Sequence, residues 1–462
     1  MSDDANQMRA AHFAHFCELM PELVARLSWS REGIEAHRTR ALRELLGHAK
    51  RHAPWHAARL AHLDPERATI EDLASIPPMT KSDLMHNWDA IVTVPGASLK
   101  VAEEAVRNMR DQFYIWGNHT LFASGGTGGR PGLFVNDWTS LAMNWGGMSR
   151  TIRPYLASLP LPGGGIPHNY RTVAVGAEMS GHGSFVVGRV FSNPANPTRM
   201  LSGWRSVAEL IPKLNAAQPQ LLSCYPNLIP ALAAAARSGE LKIDPLAIVC
   251  GGEHFPDHSQ RLARETWPEA AIMTCWGTSE GGGTHPCVSG DGFHVSEDQV
   301  IIEPVDETGA PTMPGQRSAG IYFTNLYNRA QPIIRYHIDD VFEMDDEPCA
   351  CGSLHRKIRQ VHGRAFEKFH YGTIIVHPVT LQLAVLEQPS ILEYQIRQTK
   401  RGAHLAYRGE GDIDGARLAA KMRQALKSYG VVEPEVTVEC VAQLGRTSVG
   451  KLKRFIPLPP TS

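Results

Sequence analysis

Apolar positions recur at helical spacing through roughly the first ninety residues of the chain. In the stretch 31–60, Leu42, Leu45, Leu46 and Ala49 fall on one face among basic and His positions, and Pro54 is placed to end or kink that helix. The segment IPPMTKSDLM then reads as a loop in which Thr80 caps a helix holding Leu84 and Met85. From 112 to about 361 the texture changes. Short apolar runs, TVAVGA (172–177), LLSCYP (221–226), LAIVCGG (246–252) and AIMTCWG (271–277), alternate with amphipathic segments such as SVAELIPKLNAA and SQRLARETW. That alternation predicts an α/β domain with a largely parallel sheet, whose ligand loops sit at the carboxyl ends of the strands. After about 363, IIVHPV and AHLAYRG flank amphipathic helices including ARLAAKMRQALKSYG. The predicted class is therefore α/β: a large N-terminal domain (1–362) of mixed and parallel sheets with a mostly helical lead-in (1–110), then a small mobile α+β domain (363–462).

Composition narrows the function classes. A length of 462 residues fits two to three domains at about 150 residues each. With 43% hydrophobic and 20% charged residues the chain can bury a core, which excludes intrinsic disorder and a disulfide-stapled scaffold. Lys and Arg minus Asp and Glu is 46 − 47 = −1, so no global basic field invites nucleic acid. The start, MSDDANQMRAAHF, lacks the pattern of a secretory signal, and no apolar stretch is long enough to span a membrane. The longest, LIPALAAAA at 228–236, reads as a buried helix. Eight cysteines without regular spacing fit a reduced, cytoplasmic setting, with Cys349 and Cys351 set apart for another role.

Four loops carry groups suited to chemistry. The first, Phe122-Ala-Ser-Gly-Gly-Thr-Gly-Gly-Arg-Pro131, offers backbone N–H groups at Gly125, Gly126 and Gly128, hydroxyls at Ser124 and Thr127, and a charge at Arg130. Such a loop can wrap a triphosphate, although the Gly-Lys-Ser/Thr ending of a Walker loop is absent and a Gly-rich turn is the plainer alternative. The second, Cys275-Trp-Gly-Thr-Ser-Glu-Gly-Gly-Gly283, follows an apolar run. There the Trp276 indole can stack on a base, Ser279 can reach a phosphate and Glu280 can hold Mg²⁺; a strand-to-loop turn with a solvated Glu fits equally well. The third, Ile333-Ile-Arg-Tyr-His-Ile-Asp-Asp340, ends in two carboxylates. The fourth, Gly445-Arg-Thr-Ser-Val-Gly-Lys-Leu-Lys-Arg454, presents a cation beside a glycine, or is a basic tail.

Taken in this order, the four loops resemble the adenylate-forming superfamily of acyl-CoA ligases, luciferases and adenylation domains. The resemblance implies that Ser124 to Arg130 form the phosphate loop, and that Trp276, Gly277, Thr278, Ser279 and Glu280 form the aromatic-Gly-x-Thr/Ser-Glu motif. It further implies that Asp340 binds ribose, Gly252 and Glu253 contact adenine, Arg364 marks the hinge and Lys451 is the catalytic lysine. The pieces ALRELLGHAKRHAPWHAARL and LASIPPMTKSDL, with Cys-Ala-Cys-Gly at 349–352, are similar to the phenylacetate–CoA ligase branch from about residue 35 to the end. Such enzymes join a carboxylate to ATP, release pyrophosphate and pass the acyl group to CoA. ATP, Mg²⁺ and CoA are the implied cofactors and co-substrates, and a homodimer is compatible.

The chain departs from that pattern in several places. Gly-Arg-Ala-Phe-Glu replaces the usual Gly-Arg-x-Asp-Asp hinge, so Phe366 stands where an acid is expected. The segment MSGHGSFVVGRVF lacks the His-Tyr-Gly-Ala-Glu signature, which turns the expected substrate from phenylacetate itself toward an aryl or related small carboxylic acid. Phe185 and Gly281, Gly282 and Gly283 are the expected pocket walls, although a Phe such as Phe185 is more often core than pocket. Transfer to an amine, hydroxyl or carrier protein is the alternative reaction, and a zinc-stabilised nucleotide-binding module without turnover is the alternative class. Cys287, His294, Cys349 and Cys351 are types that suit a closed tetrahedral Zn²⁺ site, although two separated Cys-containing pairs often carry no metal. The resemblance to phenylacetate–CoA-type ligases with Cys-x6-His and Cys-x-Cys at these places implies a zinc that pins the fold, with His285 competing for the nitrogen position.

Overall fold

The computed structural model describes residues 3–109, 113–124, 131–152, 154–155, 170–177, 181–193, 196–203, 205–253, 255–289, 292–345, 347–364, 368–376, 378–386, 388, 390–409, 413–446 and 452–458. Helices Asp3–Ala25 and Arg31–His52 open the chain. Ser30 caps the second by accepting from Gly33 N–H, and Leu42, Leu45, Leu46 and Ala49 bury their side chains against Leu73, Ile76, Ile301, Leu326 and Ile334. Pro54 acts as the sequence suggests: the helix stops at His52 and Pro54 starts a new one, where its missing N–H costs nothing. Thr80 forms a reciprocal capping box with Asp83 at the head of Lys81–His86, and Leu84 and Met85 are buried behind it.

The apolar runs form a five-stranded parallel sheet ordered Arg199–Ser202, Thr172–Gly176, Leu221–Cys224, Ala247–Cys250, Ala271–Thr274. Helices Val207–Ala217, Ile229–Arg237 and Asp257–Thr266 connect its strands, and their apolar faces build one core with Val173, Leu222 and Ile248. The stretch 228–236 lies in one of them, and no helix among the described residues is long and apolar enough to cross a membrane.

Parallel pairing covers only part of 112–361. From 277 onward the chain turns antiparallel: Asp340–Asp345, Lys357–Arg364, Phe293–Val295, Gly282–Pro286 and Gly277–Thr278 make one sheet, and Val300–Val305, Gly320–Asn325 and Tyr336–Ile338 another. Among the described residues no helix lies between these strands, and a parallel pair needs a crossover connection that is usually helical. Beyond the described residues 347–364, strands Glu435–Cys440, Gly402–Gly409, Ile391–Thr399 and Phe455–Ile456 pair in that order. With helix Gly415–Ser428 they enclose a separate core of Ile396, Leu405, Leu418, Met422 and Leu426.

Candidate functional site

The carboxyl ends of two neighbouring parallel strands, Ala247–Cys250 and Ala271–Thr274, place the Gly251–Glu253 turn beside the Trp276 loop; a Cβ on Gly251 would lie 3.7 Å from the Cys275 carbonyl. Gly252 takes φ +80°, a left-handed conformation suited to glycine, which lets the chain reverse and present Glu253. One Glu253 oxygen, Oε1, accepts the Leu452 backbone N–H at 2.9 Å. Leu452 therefore reaches the carboxyl end of the parallel sheet. Leu452 also forms an antiparallel bridge with Arg446. Lys451 itself lies outside the described residues.

After Trp276 the chain makes a tight hairpin, Gly277–Thr278 pairing with Gly282–Gly283, so that Ser279 and Glu280 occupy its tip. The Thr278 hydroxyl donates to Glu280 Oε2, and Asn325 Nδ2 donates to the Glu280 carbonyl at 3.0 Å. The glycines are required by close approach. A Cβ on Gly281 would fall 2.0 Å from Asn325 Nδ2, and one on Gly283 would fall 2.5 Å from the Trp276 ring. Gly281 to Gly283 thus turn inward onto Asn325, Asn144 and Trp276, and Phe185 is 9% exposed in the core cluster that also holds Trp276. The structure gives these residues packing roles first.

Trp276 donates its indole N–H to Asp340 Oδ2 at 2.7 Å. Its ring is 9% exposed and stands edge-on to Phe342, centroids 4.9 Å apart at 90°. Thr284 clamps the Trp276 backbone from both sides, accepting its N–H at 2.8 Å and donating to its carbonyl at 2.6 Å. Asp340 starts a strand whose partner sets Arg364 opposite it in register, so the two positions separated by 24 in sequence meet at one edge. Ser124 has a different place from that of a free hydroxyl: its Oγ accepts the Gly132 N–H at 2.8 Å while its own N–H bonds the Gly132 carbonyl at 2.8 Å. It thereby pinches the base of the Gly-rich loop. Gly125, Gly126, Thr127, Gly128 and Arg130 lie outside the described residues.

About the second cluster the geometry is specific. Cys287, His294, Cys349 and Cys351 bring their ligand atoms within 4.8 Å of one another. Cys287 and Cys349 sulfurs are 3.5 Å apart, and Cys351 Sγ is 3.2 Å from His294 Nε2. A tetrahedral zinc with ordinary bond lengths sets sulfur–sulfur separations near about 3.8 Å, so the donor set fits. Hydrogen bonds distinguish the two candidate histidines. His294 Nδ1 lies 2.8 Å from the His355 carbonyl, which can only accept, so Nδ1 carries the proton and Nε2 turns its lone pair to the sulfurs. His285 pairs with His294 across the strands and stacks on its ring, centroids 5.6 Å apart, but its Nδ1 accepts from Arg150 at 3.3 Å.

Sequence reasoning missed what lies beneath this cluster. Asp298 and Arg150, both fully buried, form a two-pronged pair at 2.7 and 2.9 Å, with Arg26 joining Asp298 at 3.3 Å. Adjacent Glu297, also fully buried, receives Arg31 at 2.5 Å and Arg356 at 2.8 Å, with Arg38 at 3.4 Å. Burial pushes both carboxyls up, but the guanidiniums more than offset it: Glu297 is drawn down to about 2 and Asp298 falls well below the usual range. Two adjacent acids inside the apolar run FHVSEDQVII were the available signal.

Comparison with known proteins agrees with this arrangement. No protein-family model matches the chain. It is 25% identical to a phenylacetate-coenzyme A ligase of Thermus thermophilus, with 93% of each chain covered. A phenylacetate-coenzyme A ligase of Pseudomonas putida is 24% identical over 90% of this chain and 92% of that one. Among solved structures, a 2-hydroxyisobutyryl-CoA ligase in the postadenylation state superimposes with a TM-score of 0.67 at 18% identity, covering 93% of this chain and 90% of that chain. That structure establishes likeness of fold.

Proposed function

We propose that the chain is a member of the phenylacetate-CoA ligase-like branch of the adenylate-forming superfamily, which these likenesses support, and that it activates a small carboxylic acid with ATP and passes the acyl group to CoA. The observation that carries the reading is that the loops after two neighbouring parallel strands hold the candidate groups: Leu452, next to Lys451, donates to Glu253 after one, and Trp276, whose indole N–H reaches Asp340, follows the other just before the Ser279–Glu280 tip.

In the first step a carboxylate oxygen attacks the α-phosphorus of ATP, forming the acyl–phosphate bond as pyrophosphate leaves. Holding two anions together is the main difficulty, so positioning and charge neutralisation dominate. Lys451 would bridge the carboxylate and α-phosphate oxygens. Ser124, pinching the loop base, would aim the Gly125–Gly128 amides, Thr127 and Arg130 at the outer phosphates. Ser279 would reach a phosphate from the hairpin tip. Glu280 would hold Mg²⁺, which supplies charge neutralisation there; a single carboxylate suits an ion that keeps substrate oxygens and waters as its other ligands. Asp340 would accept from the ribose hydroxyls, with Trp276, Gly277, Thr278 and the Gly252–Glu253 turn bordering the base. The acyl group would lie beside the Gly281–Gly283 turn and the helix bearing Phe185, and an aryl acid fits the relatives' names best.

Residues 1–362 and 363–462 would then act as separate bodies that rotate near Arg364, withdrawing Lys451 and admitting CoA. Cys287, His294 through Nε2, Cys349 and Cys351 would hold one zinc, which supplies a cross-link; four protein ligands leave no open position for catalysis. The test is acid-dependent pyrophosphate release with ATP and Mg²⁺ across aryl and aliphatic acids, with and without CoA. Sustained turnover only with CoA supports the ligase. Ester or amide products formed without CoA would move the assignment to another acceptor.

A further inference from the structure

We propose that Glu253 is a positioning residue: its carboxylate docks the loop that carries Lys451 and so favours the arrangement for adenylation. This rests on the function proposed above and gives Glu253 a role beyond bordering the base.

Covalent connection makes the argument strong. Leu452 directly follows Lys451, so a bond to the Leu452 amide fixes the backbone within one residue of the lysine. The backbone on either side of 447–451 is anchored to the small sheet. Arg446 bridges Leu452 and reaches Glu393, which Arg408 also pairs at 2.9 Å. Gln395 Nε2 donates to the Lys453 carbonyl at 2.9 Å, and Ile396 N–H to the Arg454 carbonyl at 2.7 Å. The arm thus belongs to the small sheet, while Glu253 belongs to the parallel one. Glu253 and Arg446 also both act on the Tyr225 phenol, whose burial raises its pKa, with Glu253 adding to the rise and Arg446 opposing it. The three side chains therefore share one junction.

A carboxylate accepting a backbone N–H is charge-assisted and stronger than a neutral bond. If the small body turns to admit the acyl acceptor, this bond must break. It is made in the first half-reaction and absent in the second, so its energy biases the equilibrium between the two arrangements.

The test uses the full chain with Glu253→Ala and Glu253→Gln. In hydrogen exchange, the peptide containing Leu452 should exchange on the order of tenfold faster in Glu253→Ala, with Glu253→Gln in between because it keeps an acceptor oxygen. Exchange across 391–399 should not change, which reports that the small body remains folded. An unchanged Leu452 peptide would overturn the proposal, and this readout needs no knowledge of the acid. In kinetics with the acid found by the pyrophosphate panel, Glu253→Ala should slow pyrophosphate release on the order of tenfold. Thioester formation from the preformed acyl adenylate and CoA should hold or rise. Equal losses in both half-reactions, or a loss confined to ATP affinity, would overturn it. If no acid gives pyrophosphate release, the proposed function fails while the exchange experiment still decides the docking.

Discussion

Replacing Trp276 by Phe isolates one bond beside the proposed nucleotide site. The substitution keeps an aromatic ring against Phe342 and deletes the N–H that reaches Asp340 Oδ2 at 2.7 Å. A hydrogen bond to a charged group contributes about 1.5–3 kcal/mol, so complete expression in nucleotide binding would weaken ATP by roughly tenfold to a hundredfold. Trimming the indole adds a packing loss of about 1–3 kcal/mol that falls on folding stability and can be read separately by thermal unfolding. The assay is affinity for ATP and for 2′-deoxy-ATP. If Trp276 works through Asp340, the native protein prefers ATP and Trp276→Phe loses part of that preference. If the indole acts by stacking on adenine, both nucleotides weaken equally and the preference survives. The 9% exposure of the ring leaves little face for a base, which favours the first outcome. Equal weakening of both nucleotides, with the preference intact, would refute the positioning role.

Further outcomes follow from the other clusters. Metal analysis should find about one zinc per chain, and Cys349→Ser should lose it; a Cys349→Ser protein with full zinc would sink the site. Asp298→Asn leaves Arg150 buried without its charge partner and should cost about 3–5 kcal/mol, seen as a lowered urea midpoint, whereas Asn tolerated without loss would show the pair to be dispensable. Glu297 has its folded pKa drawn down from 4.5 to about 2, so its contribution is present above about pH 4.5 and is lost as pH falls toward 2. In a pH–unfolding series, Glu297→Gln should therefore flatten the acid limb, and an unchanged slope would contradict the assignment. Gly283→Ala would put a methyl 2.5 Å from Trp276 at φ +137°, and should impair folding or nucleotide binding; a fully active, equally stable variant would remove the packing argument.

Local chemistry was the legible part of the sequence. The Leu42–Ala49 face, the Thr80–Asp83 box and the apolar runs each signal their element within a few residues, and the parallel sheet followed from their alternation. Strand Gly282–Pro286, sequence GGTHP, was not legible. It has no alternation and little β-propensity, and it is a strand because its glycines allow Asn325, Asn144 and Trp276 to close on it. The metal tetrad could be proposed from types and spacing, but the choice of His294 over His285 needed strand register and the His355 carbonyl. The Arg150–Asp298 pair links residues 148 apart, which no local pattern announces. Glu253 could be placed near the base by resemblance, yet its bond to Leu452 spans 199 positions and appears only in the fold.

Acid-dependent pyrophosphate release in the presence of ATP and Mg²⁺ tests the central claim most directly, run beside Lys451→Ala. Release that depends on one acid, sustained by CoA and lost in Lys451→Ala while ATP still binds, is the predicted result. Silence across a broad panel from a protein that binds ATP, or normal release by Lys451→Ala, would contradict it.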